Sequence, residues 1–257
     1  MASILLFCAL AVSIVFAYRY YAPPTERASF IIPTSDDTLR IAYIGDSWAN
    51  IHKNEHNCLI PTIIEDSIHI PTRIYSYGFP GRKSKEVYEA IFDDKEQKKI
   101  LQKFGLSYCI VSAGINDANE KMSTNYYQNS IDCIVRFLLS NHVHPVILEI
   151  PDYDILKTYS WQKRNRKLLY QLSMVLNHVP LDCKQIYREA LDELISIKKY
   201  QGKVSVIRYK SWNNNYEKDQ NTMYLIDGIH LNDYGNDLLD SVIAKEIISM
   251  LNHDRRL

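Results

Sequence analysis

Four short stretches of this 257-residue chain carry side chains that could do chemistry together. Gly45-Asp46-Ser47 offers a hydroxyl, and Gly114-Ile115-Asn116-Asp117 offers a carboxamide. Tyr77-Gly78-Phe79-Pro80-Gly81 offers two glycines, and Asp227-Gly228-Ile229-His230 sets a carboxylate three residues before an imidazole. A serine hydroxyl is a poor nucleophile until a base removes its proton, and imidazole is the usual base near neutral pH. The imidazole must be held in one tautomer by an acceptor, and Asp227 can fold back in a tight loop to take the ring Nδ1–H of His230. An Asn just past a strand can aim its side-chain N–H at an oxyanion, and a glycine lets backbone approach a substrate. Alone, each stretch reads more simply as a helix cap or a turn. In this order they supply a nucleophile, a base, an orienting acid and oxyanion donors, the set that acyl transfer demands.

These groups work only if the chain brings them to one place. Five apolar, β-branched runs read as strands covered on both faces: 40–44 (RIAYI), 73–77 (RIYSY), 108–112 (YCIVS), 145–150 (PVILEI) and 204–209 (VSVIRY). Helical patterns alternate with them at 84–103, 125–140, 160–178, 184–200 and 234–252. Such alternation predicts a mostly parallel sheet with helices on both faces, whose ligand crevice lies at the carboxyl ends of the strands. Three of the four stretches follow predicted strands, and the fourth precedes the closing helix. All four can therefore meet at one edge of the sheet. The first strand runs straight into Gly45, which would let the backbone turn sharply and leave Ser47 at the start of a helix, where free N–H groups favour negative charge.

Composition narrows the partners. Thirty basic and thirty acidic residues cancel, which gives no basic excess for binding nucleic acid. The run Lys163, Arg164, Arg166, Lys167 reads as the wet face of a helix. Five scattered cysteines without a CxxC argue against a disulfide framework or a zinc cluster. His52-Lys53-Asn54-Glu55-His56 has the H-x-x-E-H spacing of a zinc site, but it lies one turn past the better-supported serine and reads as polar helix surface. No metal and no cofactor are called for.

The organisation falls into three parts: an apolar segment at 1–21, a proline-bearing linker at 22–38, and a catalytic domain at 39–257. Residues 2–17 carry no charge and are followed by Tyr18, Arg19, Tyr20 and Tyr21. The segment lies between a signal h-region of about 7–15 residues and a span of roughly 20. We read it as a retained membrane anchor with the domain outside the cytoplasm, or as a signal whose cleavage would release a secreted protein.

Taken together, the blocks resemble those of the SGNH (GDSL-like) hydrolases, named for their Ser, Gly, Asn and His. The likeness runs from Leu39 to about Leu251, with Gly45-Asp46-Ser47, Gly81, Gly114-x-Asn116-Asp117 and Asp227-x-x-His230 in the four places. It implies a three-layer α/β/α, flavodoxin-like fold around a parallel sheet of about five strands. It also implies Ser47, Asp227 and His230 as catalytic residues, and an oxyanion hole from the Ser47 N–H, the Gly81 N–H and the Asn116 side chain. Gly78 competes with Gly81, and the polar turn after Gly81 favours the latter. Trp48, Tyr77 and Phe79, with Tyr153, are candidate substrate contacts, and Trp48 would narrow an acyl pocket. The expected activity is a serine esterase or acyltransferase acting on small acyl groups, above all O-acetyl esters of extracytoplasmic glycans. A lysophospholipase or thioesterase is the alternative, and an inactive glycan-binding protein on the same fold is the alternative of another kind.

Overall fold

Residues 39–45 (LRIAYIG) are apolar but for Arg40, which pairs with Asp36, and the Tyr43 hydroxyl, and every one of them is buried in strand β1 (Leu39–Gly45). The other strands are β2 (Thr72–Gly78), β3 (Tyr108–Ser112), β4 (His144–Leu148) and β5 (Ser205–Ile207). All neighbours pair in parallel, in the order β2-β1-β3-β4-β5. The order reverses at β1, so chains leaving β1 and β3 diverge and open a crevice at the carboxyl edge. The computed structural model describes residues 2–34, 36–52, 58–96 and 98–254.

Helices fill both faces. In chain order they are α1 (Ala2–Tyr21), α2 (Ser47–Ile51), α3 (Ile60–Ile68), α4 (Ser84–Ala90), α5 (Ile115–Asn119) and α6 (Thr124–Ser140). Then follow α7 (Ile155–Ser160), α8 (Arg164–Asn177), α9 (Lys184–Ser196), α10 (Tyr216–Met223) and α11 (Asp233–Asp254). Helices α4, α6 and α9 pack in series on one layer, and α3 packs on α11 in the other. The result is the expected three-layer arrangement, with Ile41, Ile44, Ile110 and Ile147 at its centre, all almost wholly buried.

Several boundaries differ from the sequence pattern. The helix expected over 84–103 stops at Ala90, because the Asp93 carboxylate accepts the Lys95 N–H and favours turns, and Lys98 and Lys99 both take positive φ. The helix expected over 160–178 starts four residues later, as α8, and is preceded by the unexpected α7, which ends where Ser160 turns its hydroxyl back on the Lys157 carbonyl. Helices α3 and α10 were not expected, although Pro61 in the first turn of α3 is a start signal.

Helix α1 leaves its side chains from Ile4 to Tyr20 exposed. Among the described residues it meets the domain near its end, where the Lys85 ammonium donates to the Arg19 and Ala22 carbonyls and the Tyr21 and Ser173 hydroxyls lie 2.9 Å apart. The stretch after it, 22–34, holds no helix or strand and is strapped to the domain. The Tyr88 hydroxyl accepts from Arg27 N–H, and the Asn141 side chain accepts from Ile31 N–H.

Candidate active site

Strand β1 delivers its last residue into a crowded place. A Cβ on Gly45 would lie 2.1 Å from the Ser112 carbonyl oxygen, and one on Gly78 would lie 1.9 Å from the Asn50 nitrogen. These two glycines are register partners at the ends of β1 and β2. Close approach, not a left-handed turn, is what requires glycine at 45. The chain then enters α2, and the cap is Asp46, whose carboxylate accepts the Trp48 N–H at 3.0 Å. Ser47 is thereby freed from capping and stands as the first helical residue, half-buried.

The candidate base comes from a loop pinned on all sides. Leu225 N–H donates to the His230 carbonyl at 2.7 Å, Gly228 N–H donates to the Leu225 carbonyl, and an antiparallel bridge joins Tyr224 to Leu231. Gly228 takes φ +70°, and its carbonyl accepts the Tyr216 hydroxyl at 2.9 Å. Just downstream, the Asn232 side chain accepts the Gly235 N–H and starts α11. Within this loop Asp227 Oδ1 accepts the N–H groups of Ile229 and His230, and Oδ2 lies 2.6 Å from His230 Nδ1. The other ring nitrogen, Nε2, lies 2.8 Å from Ser47 Oγ.

The protons can be assigned from this geometry. Burial pushes the Asp227 carboxyl up, but the His230 ring and the two backbone N–H donors outweigh it and hold the group below the usual carboxylate range. An ionised carboxylate only accepts, so His230 Nδ1 carries hydrogen, which leaves Nε2 to face the Ser47 hydroxyl. The pair is about one-third exposed, so a substrate and water can reach it.

The Gly81 and Asn116 blocks are tied to each other. Asn116 Nδ2 donates to the Arg82 carbonyl at 3.0 Å, which uses one of the two amide hydrogens. Asp117, fully buried, accepts both the N–H of Ser84 at 2.8 Å and its hydroxyl at 2.5 Å. The loop carrying Gly81 is held between them, with Gly81 exposed at φ +79° and open space where a Cβ would be. Gly78, by contrast, is buried under α2. Burial raises the Asp46 carboxyl to about 7 and the Asp117 carboxyl to about 6, with the Asp117 charge adding to the rise at Asp46. Neither role of these aspartates emerged from the sequence reading, although each stands beside a residue singled out there.

Other expectations need correction. Trp48 is buried in the core, its ring edge-on to Trp212 at 5.8 Å between centroids, so it is no rim contact. It lines a small cavity with Ser112, Ile115 and Leu239. Tyr153 is likewise buried, its hydroxyl donating to the Asn119 side chain. Tyr77 and Phe79 are half-exposed, and the Arg82 guanidinium lies 4.6 Å over the Phe79 ring. His52 is not helix surface: it is buried, with Nε2 2.8 Å from Asp240 Oδ1 and Nδ1 3.3 Å from the Trp48 carbonyl. Cys58 lies in the same cluster. The remaining residues of the H-x-x-E-H run, 53–56, lie outside the described residues.

No protein-family model and no curated protein matches the chain in sequence. Its fold does match solved structures. An acetyl xylan esterase is 15% identical, with 81% of this chain and 100% of that chain covered, at a TM-score of 0.57. A lipase/acylhydrolase from Enterococcus faecalis is 15% identical over 82% of this chain and 96% of its own, at 0.55. The family 3 carbohydrate esterase of Clostridium thermocellum is 16% identical over 83% and 98%, at 0.53.

Proposed function

The chain has the three-layer α/β/α fold of the SGNH hydrolases, and on that fold we propose that it is a serine esterase working through an acyl-serine intermediate. The observation that carries the reading is the unbroken relay from Asp227 through His230 to Ser47, at 2.6 and 2.8 Å. Ser47 Oγ attacks the acyl carbonyl carbon while its proton passes to His230 Nε2. The tetrahedral oxyanion is held by the Ser47 and Gly81 N–H groups and the Asn116 side chain. The intermediate collapses, the C–O bond to the alcohol breaks, and the leaving oxygen takes the proton from His230. Water, or a sugar hydroxyl in a transferase, then attacks the acyl-serine with His230 again as base. Asp227 stays ionised throughout and stabilises the imidazolium.

The substrate class we propose is small acyl esters, chiefly O-acetyl groups on carbohydrate outside the cytoplasm. The esterase neighbours that act on xylan acetyl groups and other carbohydrate support it, as do the half-exposed rings of Tyr77 and Phe79, which could stack on a sugar. Helix α1, 20 residues long and about 30 Å by its rise, is proposed as a retained anchor that places the domain there, with 22–38 as the connecting segment and 39–257 as the catalytic domain. A lipid acyl hydrolase is the second reading, favoured by the apolar Leu225 and almost fully exposed Ile226 immediately before Asp227. The test is a series of acetylated glycans and p-nitrophenyl esters of rising chain length, run with wild type and Ser47→Ala side by side. Turnover restricted to short acyl groups supports the first reading, and turnover rising with length replaces it with the second. Equal turnover by Ser47→Ala ends the assignment.

A further inference from the structure

Helix α8 wears its apolar residues on the wrong side for a protein in water. Leu168, Leu169, Leu172, Val175 and Leu176 recur at i, i+1, i+4, i+7 and i+8 and so form one stripe along the helix. All five are more than half exposed, Val175 to 71%, while the face turned to the domain buries Tyr170 and the polar Ser173. Isolated exposed leucines are ordinary, but a continuous stripe of five marks an interaction surface. Trp161, also exposed, stands at the approach to this helix, and Lys163 and Arg164 are exposed at its start.

The position of the stripe says what covers it. Ser173, in the middle of α8, meets Tyr21 at the end of α1. Glu120 joins the same two helices, accepting from Tyr20 at 3.4 Å and from Arg166 at 2.9 Å. The end of the uncovered apolar helix α1 is therefore fastened to α8, the helix that carries the uncovered stripe. Both lie toward the carboxyl edge of the sheet, since Glu120 closes the turn after β3 and α5.

We infer that the outer face of α8 lies in the headgroup boundary of the phospholipid bilayer that α1 enters, as a second, interfacial contact. The inference rests on the reading of α1 as a membrane anchor. An amphipathic helix of this kind buries its apolar face about 5–10 Å into the headgroup and acyl boundary, with basic residues on phosphates and Trp at the interface. Lys163, Arg164 and Trp161 supply those groups. The domain is then held by two contacts instead of one, and its catalytic edge faces the membrane surface rather than swinging free.

The test uses the full chain in vesicles of phosphatidylcholine and phosphatidylglycerol, with the environment-sensitive dye NBD on one thiol at a time. Cys8 is an exposed native cysteine in α1, and the other cysteines are buried. The wild-type label at Cys8 reports insertion of α1. Val175→Cys and Lys203→Cys, each with Cys8→Ser, report the stripe and an exposed turn before β5. The expected result is a blue-shifted label at 175 that doxyl lipids quench and iodide does not, with the label at 203 showing the reverse. If Cys8 is quenched by lipid and 175 by iodide, α1 is an anchor and the α8 inference is wrong. If Cys8 is not quenched by lipid, the anchor reading fails and takes the inference with it. If 175 is shielded from both quenchers and forms 175–175 disulfides on oxidation, a second copy covers the stripe and the inference is overturned.

Discussion

Helix α2 carries Ser47 as its first residue and has His52 as the cap after its last, so its two ends meet two His–Asp pairs of very different kind. At the first end, His230 and Asp227 are three residues apart in sequence, about one-third exposed, and the free ring nitrogen faces the serine hydroxyl. At the other end, His52 and Asp240 are 188 residues apart, buried, and the second ring nitrogen faces the Trp48 carbonyl. The same two residue types at nearly the same atomic distance give the proposed activating base in one place and a clamp in the other. What differs is the third partner and access to water. A carbonyl has no proton to give, and a buried ring can pass none to a substrate. The clamp still bears on the chemistry, because Asp240 belongs to α11, the helix that starts just after His230.

Crossing the two pairs should separate their roles. Ser47→Ala should cut hydrolysis of p-nitrophenyl acetate by at least about a thousandfold, with little change in melting temperature. If that variant melted early and kept its kcat, the two ends of α2 would have been assigned the wrong way round. Asp240→Asn should do the opposite. Leaving a buried hydrogen-bond partner poorly satisfied costs about 1–3 kcal/mol, read as a lower urea midpoint, while the fraction still folded keeps its kcat. A loss of kcat there, with stability intact, would make the buried pair part of the catalytic machinery.

Smaller effects sharpen the contrast at the exposed end. Asn116→Ala should lower kcat by roughly 10²–10³-fold if its side chain holds the oxyanion, with KM nearly unchanged. An unchanged kcat would reduce Asn116 to a tie on the Arg82 carbonyl. Asp46 offers a test by pH. Its carboxyl titrates at about 7 in the fold against an ordinary 3.8, so the folded state holds the proton more tightly than the unfolded chain. The stability this gives is complete below the unfolded value and is lost as pH rises through about 7. Asp46→Asn keeps an acceptor for the Trp48 N–H and removes the titration, so melting temperature should fall less between pH 4 and 7 than in wild type. An unaltered slope would place the pH dependence elsewhere, with Asp117 the next group to replace.

The same contrast marks what the amino-acid sequence discloses. The Asp227–His230 pair is local, and both its spacing and its place before an apolar helix can be read directly. The strands could be read because parallel, doubly covered strands are continuous apolar runs, and β3 matches its expected limits. The His52–Asp240 pair could not be read, since nothing local links residues 188 apart, and His52 was taken for surface. Trp48 failed in the opposite direction: it follows a catalytic candidate, but an α2 of five residues turns it into the core. The basic run at 163–167 was read as the wet face of a helix, and Lys163, Arg164 and Arg166 are exposed there; the exposed leucines that follow it were not foreseen.

One consequence concerns Gly45 and Gly78, neither of which bears a functional group. Because β1, β2, β3 and α2 are squeezed together at those two positions, even a methyl group would wedge the serine away from its base. In a saturation library scored for turnover, both sites should admit glycine alone, as strictly as the nucleophile admits serine. Gly81, with open space around it, should register its substitutions through backbone conformation instead. Intolerance to mutation in this protein therefore reports tolerances of assembly as much as chemistry.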